Sequence, residues 1–183
     1  MEKLSVNEFI NFDKSKLVGK VICFPTDTVY GIGALFNDEV AISQIYKMKN
    51  RDPNKPLANL CSSVDQIKDL GIDVPEVANQ LIEKHWPGAL TIIFKDNSKK
   101  ISFRMPNSEI ALKLLRKFSV LTTTSVNESG EKELNSYEEI NNAFGSMIDY
   151  FIDDEANLSK IASTVVDVSD GSVKVLRQGS IIL

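Results

Sequence analysis

The sequence has few of the residues on which several common kinds of functional site depend. Among its 183 residues there are two cysteines and one histidine. Cys23 and Cys61 have no second Cys or His at metal-ligand spacing, so they predict buried, reduced thiols rather than a disulfide or a metal site. His85 lies at a predicted helix end, where dipole and packing roles are expected. No catalytic Ser-His-Asp set is recognisable.

Long apolar runs and the common nucleotide-binding fingerprints are also missing. No apolar run approaches the roughly 18 residues needed to span a membrane, and residues 1–5 do not begin a secretory signal. We therefore expect a cytoplasmic protein with no membrane association. The absence of a Walker A motif and of a GxGxxG fingerprint excludes the P-loop and dinucleotide-binding classes.

An excess of positive charge is missing too. The chain has 25 acidic and 21 basic residues and a net charge of −4. This balance disfavours an extended footprint on a phosphate backbone, so no stable RNA binding is expected. It permits a local cationic pocket for one triphosphate. The length and the 43% apolar content predict one globular domain over residues 1–183.

Apolar patterning predicts alternating strands and helices. Because the late part of the chain is rich in strands, we expect an α+β fold, a mixed α/β sheet with helices packed against it, rather than a doubly wound one. A helix cap is expected at Asn37. The predicted strands cover 21–24, 57–60, 90–94, 101–105, 120–124, 147–151, 163–168, 173–176 and 181–183, and the helices 38–49, 63–70, 75–86, 108–118 and 136–144.

Three polar islands interrupt the apolar runs, at residues 25–31, 49–55 and 125–130. The second contains Lys49, Arg51 and Lys55, whose point charges and planar fork suit neighbouring phosphate groups. The other two offer hydroxyl and amide groups at strand ends, where a rigid scaffold usually presents binding groups. Taken singly, each island is more often an ordinary turn or a solvated helix end. Together they predict a site for a polyanionic nucleotide.

Seven segments, taken in chain order, carry a more specific signal. They cover residues 24–33, 45–51 with 55–57, 86–91, 103–106, 124–130, 163–167 and 176–179. In this order they resemble the YrdC/TsaC family, the threonylcarbamoyl-AMP synthases of tRNA modification, over nearly the whole chain. The resemblance implies a single YrdC-like domain with a twisted mixed sheet and a concave nucleotide pocket.

The resemblance also implies a reaction. L-threonine, bicarbonate and ATP would give L-threonylcarbamoyladenylate and pyrophosphate, and the adenylate would feed t6A formation on tRNA. ATP is then a substrate, and Mg²⁺ is expected to be carried by its triphosphate rather than by a resident metal site. The resemblance also implies a functional link to other t6A-synthesis proteins.

Site residues follow from their positions in the family motifs. The resemblance assigns catalytic charge on the phosphates to Lys49 and Arg51. This chain departs from longer family members at Leu60, where they often have His. Its stretch 91–104 is also shorter than the corresponding stretch of the family. The ATP-binding residues implied are Arg51, Lys55, Asn127 and Arg177, and the threonine-binding residues are Thr28, Arg104, Ser125 and Ser163.

Two functions of other classes fit the sequence less well. An RNA-binding translation or ribosome-maturation factor is disfavoured by the acidic net charge and by the absence of a Lys/Arg stripe. A carbamoyl-adenylate module of hydrogenase maturation proteins is disfavoured because the cysteine pairs of its usual zinc-finger neighbour are missing.

Overall fold

One mixed sheet organises the whole chain. The computed structural model describes residues 1–183. The strands are β1 (Glu2–Leu4), β2 (Ile22–Pro25), β3 (Tyr30–Leu35), β4 (Ala58–Leu60), β5 (Leu90–Asp96), β6 (Lys99–Arg104), β7 (Leu121–Ser125), β8 (Tyr150–Ile152), β9 (Thr164–Asp167) and β10 (Lys174–Arg177). All ten belong to one sheet of order β1-β8-β2-β3-β7-β4-β6-β5-β9-β10, with parallel and antiparallel pairs. The predicted mixed sheet is confirmed.

Six α-helices flank this sheet. They are α1 (Val6–Phe9), α2 (Glu39–Met48), α3 (Val64–Lys68), α4 (Glu76–His85), α5 (Glu109–Phe118) and α6 (Tyr137–Phe144), with a 3₁₀ turn at Lys14–Leu17. Ser108 and Ser136 cap α5 and α6 through their hydroxyls. The cap predicted at Asn37 was wrong by one residue: Asn37 has φ 61°, and the Asp38 carboxylate accepts from Ala41 N at 3.1 Å. None of the helices combines the length and apolarity needed to cross a bilayer.

The core lies on both faces of the central strands. Cys23 and Phe24 are neighbours on β2 but pack in different clusters, because successive strand side chains point to opposite faces. Phe24 packs with α1 and α5, and Cys23 packs with α2 and α6. A third cluster joins α3 and α4 to β5, β6 and β9. Both thiols are free and buried, and burial raises the pKa of Cys61 to about 12, so this thiol is inert.

Three parts of the sheet differ from the prediction. Strand β1, which pairs with β8, was not predicted. Strand β3 was not predicted either, although it pairs with both β2 and β7. The strand predicted at 181–183 does not form. There, Thr164 donates its hydroxyl to Ile181 O at 2.8 Å and accepts from Ile181 N at 3.2 Å, so one side chain fixes this segment without a ladder.

Gly33 of β3 is expected to be a sensitive position for stability. A Cβ there would lie 2.8 Å from Thr123 Cγ2 and 3.1 Å from Thr122 O. Gly33→Ala should therefore lower the free energy of unfolding by about 1–3 kcal/mol, the usual cost of overpacking. Gly31→Ala is the matched control, because its nearest neighbour would be at 3.7 Å. Urea unfolding of both variants tests this, and equal midpoints at equal slopes would contradict it.

Candidate functional site

A cleft of about 340 Å³ opens on one face of the sheet. Alternate residues of six strands form its floor, because side chains at i and i+2 share a face. The intervening residues Ile32, Ile92 and Phe103 are fully buried in the core. The floor residues are Gly31, Ala58, Leu60, Thr91, Ile93, Ser102, Arg104, Thr123, Ser125 and Val165, and most of them are small.

Arg104, at the end of β6, is the most constrained cation of the cleft. It is 6% exposed and donates from Nε to Gly88 O at 3.0 Å and from Nη1 to Thr28 Oγ1 at 2.8 Å. Its Nη2 donates to the Asp27 carboxylate. A guanidinium has five N–H donors, so two remain for a ligand. Planar pairs of such donors suit a carboxylate.

The charge of Arg104 is balanced by its surroundings. Burial lowers the pKa of Arg104, whereas the Asp27 carboxylate raises it. The charge of Arg177, which lines the same cleft, also lowers the pKa of Arg104. Since arginine is not deprotonated in proteins, the group stays cationic. The cleft therefore holds a fixed positive charge beside the Thr28 hydroxyl.

Arg177 of β10 lines the same cleft. Its Nε and Nη2 donate to Ser163 O at 3.0 and 2.9 Å, and Nη2 also contacts Ser163 Oγ at 3.1 Å. Ser163 Oγ lies 2.8 Å from Thr91 Oγ1. Burial lowers the pKa of Arg177, and the Glu133 carboxylate opposes this shift. Nη1 has no protein acceptor and is free for an anion.

Arg51 brings a third guanidinium to the cleft from the loop after α2. Its Nε donates to Lys55 O and its Nη2 to Pro56 O, each at 3.0 Å. These bonds fix the loop and leave Nη1 without a protein acceptor. The cleft thus contains three arginines, Arg51, Arg104 and Arg177, and one unpaired carboxylate, Glu133.

Lys49 lies behind the cleft rather than in its lining. It is 1% exposed, and its Nζ donates to Ser125 O at 2.6 Å, Asn127 O at 2.7 Å and Asn127 Oδ1 at 3.0 Å. Burial and, to a smaller extent, the charge of Arg51 lower the pKa of Lys49 to about 8, and the Glu133 carboxylate opposes the shift. Lys49 therefore joins the end of α2 to the end of β7.

Six of the nine predicted site residues meet in this cleft, and three do not line it. Thr28, Arg51, Arg104, Ser125, Ser163 and Arg177 line it, whereas Lys49, Lys55 and Asn127 do not. Lys55 is exposed with no protein acceptor for its ammonium, and the Asn127 amide is 8% exposed. The prediction missed the floor residues Thr91, Ser102 and Thr123 and the carboxylate of Glu133. Strand alternation is the signal that points to the first three.

The other well-formed depression has little of this chemistry. A depression of about 400 Å³ on the outer side of α2 contains one charged side chain, that of Glu39. Three or more His, Cys, Asp or Glu side chains do not converge anywhere in the molecule. His85 does not line the cleft, and its Nε2 is buried without a partner. The arginine-lined cleft is therefore the candidate functional site.

Two curated proteins similar to this chain are named as threonylcarbamoyl-AMP synthases, one of them as putative. The threonylcarbamoyl-AMP synthase of Pyrococcus abyssi is 32% identical over 174 residues, which are 89% of this chain and 51% of that protein. A putative threonylcarbamoyl-AMP synthase of Methanocaldococcus jannaschii is 34% identical over 191 residues, covering 98% of this chain and 88% of that protein. The chain thus spans about half the length of the first relative and most of the second.

Solved structures agree with the sequence comparison. The crystal structure of P. abyssi Sua5 complexed with L-threonine matches with a TM-score of 0.86 at 29% identity, over 98% of this chain and 57% of that chain. A family model for Sua5, YciO and YrdC proteins, described as telomere recombination, matches residues 17–179. The resemblance expected from the seven segments is thereby confirmed. The chain belongs to the Sua5/YciO/YrdC family.

Proposed function

We propose that the protein is an L-threonylcarbamoyladenylate synthase. It would form threonylcarbamoyl-AMP and pyrophosphate from L-threonine, bicarbonate or CO₂, and ATP, for t6A modification of tRNA. The observation that carries this proposal is the cleft itself, which holds a buried arginine with two free N–H donors among hydroxyls, together with two further arginines. The names of the relatives support the same activity.

The amino acid would bind at Arg104. Its two free N–H donors match the α-carboxylate of threonine, and Thr28 already contacts the same guanidinium. Ser125 and Ser163 add hydroxyls that bind the amino group or the side-chain hydroxyl. The L-threonine bound to P. abyssi Sua5 supports an amino acid site in this fold.

The triphosphate of ATP would bind at Arg51 and Arg177. Each has a free Nη1, and their protein bonds hold the guanidinium planes in place before ATP arrives. The exposed Lys55 can add a further charge. Asn127 would have to exchange one of its present hydrogen bonds to contact ATP. Mg²⁺ would be carried by the triphosphate, because the protein offers no cluster of metal ligands.

Positioning and fixed charge account for the catalysis. The amino nitrogen attacks CO₂ and loses a proton, which gives N-carboxythreonine. A carbamate oxygen then attacks the α-phosphorus and displaces pyrophosphate. Because Arg104 and Arg177 line one cleft, the two substrates would bind side by side, and the arginines would neutralise charge on the phosphates. No covalent enzyme intermediate is needed, since the carbamate oxygen would attack the α-phosphorus directly.

The reaction predicts a joint dependence on all three substrates. Pyrophosphate release should require threonine, bicarbonate and ATP together, because the carbamate must form before the α-phosphorus is attacked. A coupled pyrophosphate assay with each substrate left out in turn measures this. Equal release with ATP alone would identify a plain ATPase and refute the proposal. Association with other t6A-synthesis proteins and a cytoplasmic location belong to the same proposal.

A further inference from the structure

Lys49 is a buried cation with a complete set of protein acceptors. Its three N–H groups donate to Ser125 O, Asn127 O and Asn127 Oδ1 at 2.6–3.0 Å. No carboxylate forms a salt bridge with it. An ammonium has three donors, so this set leaves none for a phosphate oxygen. Any contact between Lys49 and ATP would break one of these bonds in a buried place.

The Asn127 amide is saturated as well. Its Oδ1 accepts from Lys49 and, at 2.6 Å, from the Ser125 hydroxyl. Its Nδ2 donates to Glu128 O and Glu131 O, both at 2.8 Å. The amide orientation follows from this network, because a flipped amide would point N–H groups at the Lys49 ammonium.

This network fixes the direction of the hydrogen bond that the Ser125 hydroxyl donates. Its single hydroxyl hydrogen is directed to Asn127 Oδ1, so the oxygen presents only lone pairs to the cleft. Such an oxygen accepts from an N–H or O–H group and cannot donate to a phosphate. Threonine supplies both kinds of donor, in its amino group and its hydroxyl, whereas the ionised phosphates of ATP supply neither.

We propose that Lys49 is a positioning residue, which acts through Asn127 to hold Ser125 as a hydrogen-bond acceptor for the amino acid and does not contact the nucleotide. This inference rests on the proposed function. It differs from the assignment of Lys49 to phosphate charge that the family resemblance implies. A backbone hydrogen bond, donated by Ser129 N to Lys49 O at 2.9 Å, joins the same two segments a second time.

Protonation of Lys49 supports this role. The charged groups that act on the ammonium are Arg51, which lowers its pKa, and Glu133, which raises it; burial is the largest cause of a pKa near 8. Above that pH the neutral amine keeps two N–H donors and loses one of three bonds. Threonine affinity should therefore fall as pH rises through about 8.

Titration calorimetry of variants tests the proposal. Lys49→Met and Ser125→Ala should each weaken threonine binding about tenfold and change binding of a non-hydrolysable ATP analogue by about twofold or less. The double variant should bind threonine no worse than the single ones, since both act through one hydroxyl. Lys47→Met, an exposed lysine of α2, is the matched control and should bind like the parent. Circular dichroism checks the fold.

Three outcomes would overturn the inference. A Lys49→Met protein that loses the ATP analogue but keeps threonine places Lys49 at the phosphates. A folded Lys49→Met protein that binds both ligands like the parent leaves Lys49 without a role in binding. A parent protein that binds no threonine refutes the proposed function, and this inference with it.

Two further measurements keep the test sharp. If Lys49→Met does not fold, Lys49→Gln takes its place in the titrations, because glutamine keeps two N–H donors. Between pH 7 and pH 9 the parent should lose more threonine affinity than Lys49→Gln, whereas the titration of threonine itself is common to both. In the parent labelled with ¹⁵N-lysine, threonine should shift the Lys49 ammonium resonance more than the ATP analogue does. The reverse order would overturn the inference without any variant.

Discussion

Replacing Arg104 with alanine is expected to weaken threonine binding about a hundredfold or more. The variant removes both N–H groups proposed to hold the α-carboxylate, and each charge-assisted hydrogen bond contributes about 1.5–3 kcal/mol. It should also destabilise the fold. Asp27 is left as a largely buried carboxylate with no cation, and breaking a buried pair from one side costs about 3–5 kcal/mol.

Binding and stability can be measured separately for this prediction. Calorimetry with threonine gives the first and urea unfolding gives the second. Arg104→Lys keeps a charge without the planar fork, so its threonine affinity should lie between those of the parent and Arg104→Ala. Arg116→Ala removes an exposed arginine paired with Glu109 and serves as control. Threonine binding by folded Arg104→Ala at parental strength would show that the carboxylate binds elsewhere.

Arg51→Ala should produce the second large effect, this time on ATP. The loss of one planar fork from the phosphate site is expected to weaken ATP binding by about 1.5–3 kcal/mol, roughly ten- to a hundredfold. Threonine affinity should change little, because Arg51 has no bond to Arg104, Thr28 or Ser125. Titration with ATP and with threonine, with Arg116→Ala again as control, separates the two effects. Parental ATP affinity in Arg51→Ala would remove this residue from the phosphate site.

The elements that the sequence predicts well are those whose signals are local. Helices α4 and α5 have apolar residues at helical spacing and a Pro or Ser at the cap, and their observed bounds lie within a residue or so of the prediction. Strand β3 has the sequence Tyr-Gly-Ile-Gly-Ala-Leu, in which glycines replace the β-branched residues that identify a strand. Gly31 lines the cleft, and a side chain at Gly33 would meet Thr123 of β7. These neighbours come together only in the folded chain, so no local pattern predicts them.

The site likewise contains residues that a local pattern predicts and contacts that no local pattern predicts. The arginines and hydroxyls of the three islands and of the family motifs are chemically distinctive, so they could be named in advance. The ion pair between Arg104 and Asp27 spans 77 positions in the sequence, and no local pattern predicts it. Burial of Lys49 could not be predicted either. A lysine after an amphipathic helix is usually solvated, and only the approach of β7 supplies its three acceptors.

The alternation of cleft and core residues along each strand separates two kinds of mutation. Ala58, Ser102 and Thr123 face the cleft, whereas their neighbours Phe103 and Thr122 pack on the other side. A library that randomises Ala58 and Ser102, which are half-buried, would therefore reshape the binding surface while the core contacts stay unchanged, whereas Thr123 is 5% exposed and lies against Gly33. Selection for a different amino acid substrate could start from such a library with little risk to folding.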